Sequence, residues 1–75
     1  MSRLPDVSGA ELVKALQKAG FVVLRQKGSQ VSMSKSEGDE HWRTIVPMHS
    51  EIARGTLHDI LKQCGLTRDE LRELL

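Results

Sequence analysis

The sequence predicts an α+β domain in which helices cover one face of a three-stranded antiparallel sheet. The chain begins with an apolar stripe at helical spacing, followed by three β-rich segments separated by turn residues. Two further helical segments complete it. Because helices at both ends of so small a sheet must pack on one side of it, the other side is expected to stay open to solvent.

The first helix is predicted over residues 9–19. Ser8 and Glu11 have the spacing of a capping box, in which each side chain accepts a hydrogen bond from the backbone N–H of the other residue. Apolar residues then recur with helical spacing, and Gly20 follows as a left-handed stop.

A β-hairpin is predicted next. Residues 21–26 are rich in β-formers, Lys27-Gly28 is a turn signal, and residues 30–34 alternate polar with apolar. The alternation places two side chains towards the core and three towards solvent. The inward pair is Val31 and Met33, and the outward set is Gln30, Ser32 and Ser34.

A polar loop and a third strand complete the predicted sheet. Residues 35–40 are polar and predict the loop. Residues 41–46 predict the strand, which ends at Pro47 because proline cannot donate a hydrogen bond to the sheet. Four apolar side chains are expected to pack between the sheet and the helices and to have a purely structural role: Leu16, Val31, Ile45 and Leu61.

Two C-terminal helices are predicted after a connecting loop over residues 48–55. Thr56 is predicted to cap the second helix, and Gly65 to end it. Thr67 and Glu70 form a second capping box, which begins a short third helix.

Length and composition indicate one small cytoplasmic domain spanning residues 1–75. The longest run of large apolar residues is four, far short of the roughly 20 that a membrane helix needs. A single cysteine, Cys64, excludes an internal disulfide, suits a reducing cytoplasm, and is expected to be a buried apolar residue. The three histidines lie on different predicted elements without ligand spacing, so we expect no metal and no cofactor.

Charge is unevenly distributed although the formal net charge is only +1. From Leu12 to Ser36 there is no acidic residue, and the basic residues there are Lys14, Lys18, Arg25, Lys27 and Lys35. Such a basic half points to a polyanion partner. On charge alone, however, an ordinary solvated surface is the simpler interpretation.

Six short strings identify a family by their order and spacing. They are Gly20-Phe21, Lys27-Gly28-Ser29, Val46-Pro47-Met48-His49, Arg54-Gly55-Thr56-Leu57, Ile60-Leu61 and Gly65-Leu66-Thr67. Together they closely resemble the HicA toxins of bacterial and archaeal toxin–antitoxin pairs. The resemblance runs from about Ser8 to Leu71. It implies a fold like the double-stranded RNA-binding domain, ribosome-independent endoribonuclease cleavage of mRNA, and neutralisation by a HicB-like antitoxin.

One residue departs from the family pattern. The resemblance implies a catalytic histidine directly after Gly28-Ser29, where this chain has Gln30. Cleavage by the RNA 2′-hydroxyl needs a group that exchanges a proton near neutral pH, and an amide cannot do so. Losing such a group typically costs about 10²–10⁴ in rate. Deliberate inactivation and a natural inactive member both remain open; the other intact motifs favour the former.

The leading hypothesis is therefore a toxin ribonuclease fold with an inactivating residue at position 30. Phosphate contacts are predicted for Arg25, Lys27, Gly28, Ser29 and Lys35. His49 is either a loop histidine bonded to local backbone or an auxiliary RNA or partner contact. A non-catalytic RNA-binding module and a protein-interaction scaffold are the alternatives.

Overall fold

The computed structural model describes residues 4–75 and confirms the predicted α+β layout. Its elements are α1 (Gly9–Lys18), β1 (Val22–Lys27), β2 (Gln30–Glu37), β3 (Glu40–Pro47), α2 (Arg54–Cys64) and α3 (Arg68–Leu74). The strands form one antiparallel sheet in the order β1-β2-β3. No helix within residues 4–75 has the length and apolar character needed to cross a bilayer.

The turn between β1 and β2 consists of Gly28 and Ser29. Gly28 has a φ of 61°, whereas the described residues other than glycine all have negative φ. A positive φ at the first turn residue alone is typical of a type II′ turn, which matches the twist of the flanking strands. The turn therefore fixes the register in which Lys27 lies opposite Gln30.

The predicted loop over residues 35–40 is wrong. β2 continues to Glu37, which lies opposite Glu40, and only Gly38 and Asp39 form the turn. The segment is polar because this end of the hairpin projects into solvent. Cross-strand pairing, which composition does not reveal, keeps its backbone extended.

The core lies on one face of the sheet, against the helices. Val31 and Met33 are buried, as predicted, together with Leu12 and Leu16 of α1. Leu57 and Leu61 of α2 complete the contact from the other end of the chain. The opposite face of the sheet carries no helix among the described residues, so its side chains remain accessible.

The prediction that Ile45 packs against the helices is wrong. Ile45 is 51% exposed, whereas Thr44 and Val46 are buried. β3 has apolar residues at both parities, so its pattern alone does not identify the inward face. Thr44 can occupy the core because its hydroxyl donates to Oε1 of Gln63 at 2.7 Å.

Both predicted capping boxes are present. The amide of Glu11 donates to Ser8 Oγ at 3.1 Å, and the amide of Ser8 donates to the Glu11 carboxylate at 2.9 Å. Hydrogen bonding of the Glu11 carboxylate to the Ser8 backbone amide, and to a smaller extent to the Ser8 side chain, lowers the pKa of that carboxyl. Thr67 and Glu70 repeat the arrangement at α3.

The predicted Thr56 cap of α2 is wrong. The helix begins at Arg54 after Ala53, which makes no side-chain capping bond, so Thr56 lies in the first turn. Just before it, the amide of Ile52 donates to the carbonyl of Val7 at 2.9 Å. Ile52 is also buried. Tertiary contacts thus set where this helix begins, whereas Gly65 ends it in the left-handed conformation as predicted.

Candidate functional site

The uncovered side of the sheet, here called the outer face, is defined by the strand registers. Side chains alternate across a strand, and cross-strand partners share a face. The outer face consists of Val22, Arg25, Lys27, Gln30, Ser32, Ser34, Ser36, His41, Arg43, Ile45 and Pro47. Each of these residues is exposed or half-buried.

The strand side chains on the outer face include basic residues but no acidic ones. Arg25, Lys27 and Arg43 supply three cations, and none of its members is Asp or Glu. By register, Glu37 and Glu40 belong to the opposite side of the hairpin. A surface on which all the charges are positive attracts polyanions, even though the whole chain is close to neutral.

One end of this face brings together most of the predicted site residues. Lys27 lies opposite Gln30, and Gln30 lies opposite Pro47 on β3. The amide of Met48 donates to the carbonyl of Ser29 at 2.6 Å. The Gly28-Ser29 turn, the start of β2 and the segment leading into residue 49 therefore meet at one edge.

Gln30 itself is exposed at this edge. Its side chain makes no hydrogen bond to another residue within the described part of the chain. The amide is therefore accessible beside Lys27, but it cannot exchange a proton near neutral pH.

Arg25 lies opposite Ser32 on the outer face, just after a break in the strand register between Val23 and Arg25.

His49 lies in the loop after β3, beside the first turn of α1. Its backbone carbonyl accepts a hydrogen bond from the amide of Gly9 at 2.9 Å. The residue is exposed, and its ring has no hydrogen-bond partner within residues 4–75. The backbone contact thus holds the loop, while the imidazole remains available near the Ser29 edge.

The structure does not bring Lys35 to this edge. Lys35 is five residues along β2 from Gln30, roughly 17 Å, and belongs to the helix-covered face. Its Nζ lies 5.5 Å from the centre of the Trp42 ring and 6.0 Å from that of Phe21. It also lies 3.8 Å from the Glu37 carboxylate. These contacts indicate a packing role.

Sequence reasoning missed Arg43. This residue lies opposite Ser34 on the outer face. Counting alternate residues back from Val46 along β3 would have placed Thr44 and Trp42 inward and Arg43 outward. The signal was present, but it was obscured by the apolar character of Ile45.

Cys64 and the metal-ligating residue types were the other candidates for a reactive site. Burial raises the pKa of the Cys64 thiol to about 11, against a smaller opposing effect of the Thr44 hydroxyl. Cys64 is therefore a buried neutral thiol, as predicted. Among residues 4–75, no three His, Cys, Asp or Glu side chains lie close enough to hold a metal ion.

The fold and this surface define a class: a small α+β protein with helices on one side of its sheet and an open cationic face on the other. Residues 9–66 match the family model of the HicA toxin of bacterial toxin–antitoxin systems. The chain belongs to the HicA toxin family, as its motifs indicated, and so is the toxin component of such a system with an antitoxin as partner. A search of curated proteins finds no match.

Proposed function

We propose that this chain is an mRNA endoribonuclease scaffold whose catalysis is impaired by Gln30. The observation that carries the proposal is the position of Gln30. It is exposed on a face whose strand side chains include no Asp or Glu, and it lies opposite Lys27 beside the Gly28-Ser29 turn. A proton-transferring side chain there would meet an RNA backbone held by cations.

The proposed reaction explains why the residue at this position matters. The RNA 2′-hydroxyl gives up its proton and attacks the adjacent phosphorus, and the bond to the 5′-oxygen breaks. That oxygen leaves with a proton, so one group must accept a proton and another must supply one. An imidazole at position 30 could perform either step, whereas the Gln30 amide can only donate or accept hydrogen bonds.

Arg25 and Lys27 would contact phosphates by charge, and the backbone at Gly28 and Ser29 would approach the RNA closely at the turn. His49 would be the auxiliary proton-transfer group, because its ring is exposed near the same edge. Lys35 would act only indirectly, through packing.

A HicB-like antitoxin in the cytoplasm would block RNA by covering the outer face. Val22 is 57% exposed and Ile45 is 51% exposed on this face. Exposed apolar side chains within a cationic surface suit a protein partner that offers acidic and apolar groups. Occlusion of the same residues would then inhibit without changing the toxin's conformation.

The test restores the missing group. Gln30→His, purified and incubated with a plain mRNA, is expected to cleave at least about 100-fold faster than the present chain. Gln26→His is the matched control, because Gln26 is an exposed glutamine whose register partner, Val31, is buried on the helix side. Cleavage by the chain as written, or equal cleavage by both variants, would contradict the proposal.

A non-catalytic RNA-binding module is the second candidate function, and Gln30 itself favours it. If Gln30→His binds RNA as tightly as the parent chain but cuts nothing, the module is the better description. If neither form binds RNA at low salt, a protein-interaction scaffold replaces both.

A further inference from the structure

A cleft at the β3 edge of the outer face has no part in the RNA cleavage proposed above. It has a volume of about 570 Å³ and lies between β3 and α2. Ser32, Arg43 and Ile45 line it from the sheet, and Asp59, Ile60 and Gln63 line it from the helix. Its size is in the range of small-molecule sites in proteins.

The cleft has a donor on one wall and an acceptor on the other. Arg43 comes from the strand and Asp59 from the helix, and the two form no salt bridge within the described part of the chain. Both residues are exposed. An unpaired guanidinium and carboxylate in one cleft are available to a ligand that presents acceptors to one and donors to the other.

Gln63 adds a second donor. Its Oε1 accepts the hydroxyl of Thr44 at 2.7 Å, which leaves the amide N–H groups without a partner among residues 4–75. Ile45 supplies accessible apolar surface beside these groups, whereas Ile60 is almost fully buried beneath them. The cleft thus combines apolar surface with hydrogen-bonding groups and with the planar Arg43 guanidinium, on which a nucleobase can stack.

We propose that this cleft binds one unpaired base of the RNA and favours guanine. Guanine carries two acceptors, O6 and N7, which suit an arginine fork, and it carries N–H donors that suit a carboxylate. The inference rests on the proposed function and extends it, because a base-reading cleft would determine which RNA segments the toxin engages.

The position of the cleft suits this role. Ser32, at its margin, is two residues from Gln30 on the same strand and the same face, a separation of roughly 7 Å. A strand of RNA whose phosphate lies at Gln30 can therefore place a neighbouring base at the cleft. Arg25 and Lys27, on β1 at the other side of β2, would contact the phosphates of the RNA backbone.

The test measures base preference separately from affinity. Four RNA pentamers, each pentauridine with G, A, C or U at the centre, are titrated into the protein by fluorescence anisotropy at low and moderate salt. The parent chain is expected to bind the G pentamer roughly tenfold more tightly than the other three. All four are expected to bind more weakly as salt rises.

Two variants assign that preference to the cleft. Asp59→Asn removes the charge but keeps the side-chain shape, and Arg43→Lys keeps the charge but loses the planar fork. Each is expected to abolish most of the G preference while the U pentamer binds within about threefold of the parent. Glu73→Gln, an exposed carboxylate change on α3, is the matched control and should retain the preference.

The outcomes separate the inference from the proposed function. Equal, salt-dependent binding of all four pentamers would overturn the cleft as a base site and leave the RNA-binding function standing. Retained G preference in both folded variants, checked by circular dichroism, would also overturn it. If no pentamer binds at low salt, the proposed function and the cleft assignment fail together.

Discussion

Lys27 of β1 and Lys35 of β2 have different environments, although the sequence predicts both in connections, Lys27 in a turn and Lys35 at the start of a loop. Lys27 is exposed at the outer-face edge opposite Gln30, whereas the Nζ of Lys35 lies near both the Phe21 and the Trp42 rings. The difference follows from the face of the sheet on which each side chain lies and from the continuation of β2 to Glu37, where the sequence predicts a loop. Charge alone therefore could not assign these residues to a site.

Charge-reversing substitutions of the two lysines test this difference directly. Lys27→Glu is expected to weaken RNA binding for every sequence and to lower the salt dependence, because a phosphate contact is lost. It should not lower stability, since Lys27 is exposed at a turn. Affinity is measured by anisotropy titration and stability by urea unfolding.

Lys35→Glu is expected to do the opposite: lower stability and leave the RNA affinity of the folded protein close to that of the parent. Lys14→Glu, on exposed α1 surface, controls for net charge. Unchanged affinity in Lys27→Glu would remove that residue from the site.

Among the elements, those specified by local chemistry were predictable. The capping boxes at Ser8 and Thr67 depend on residues three apart, so the sequence alone identifies where α1 and α3 begin. The start of α2 and the length of the second hairpin depend on distant contacts, such as Ile52 with Val7. Those boundaries could not be predicted from nearby residues.

At Gly65, the left-handed backbone that ends α2 coincides with a close approach of the Trp42 ring. Gly65 has a φ of 68°, and a Cβ added there would lie 2.7 Å from Nε1 of Trp42. Gly65→Ala is therefore expected to lower the free energy of unfolding by more than about 1 kcal/mol, as measured by urea denaturation.

Gly55→Ala provides the control for the same substitution in α2. A Cβ there meets nothing within 4 Å, and the residue lies in the first turn of the helix. Alanine is expected to raise stability by roughly 0.5–1 kcal/mol because it reduces the entropy lost on folding. Equal effects of the two substitutions would show that the Trp42 contact and the left-handed backbone are unimportant.

For the whole molecule, the arrangement of layers explains how a nearly neutral chain presents a cationic surface. The three helices take one side of the sheet, and most acidic residues lie on the helices or at the Gly38 turn. The strands expose Arg25, Lys27 and Arg43 on the other side. The sequence predicted an open face carrying Gln30, but Arg43 and the β3–α2 cleft required the packing of strand against helix.

The most direct measurement of the central claim is an NMR titration of the labelled protein with a short single-stranded RNA. The account predicts that backbone amide shifts concentrate on the outer-face segments of β1 and β2 and around Arg43, with little change along α1 and α3. Shifts concentrated on α1 and α3, with the amides near Gln30 unmoved, would contradict the assignment of the outer face as the RNA-binding surface.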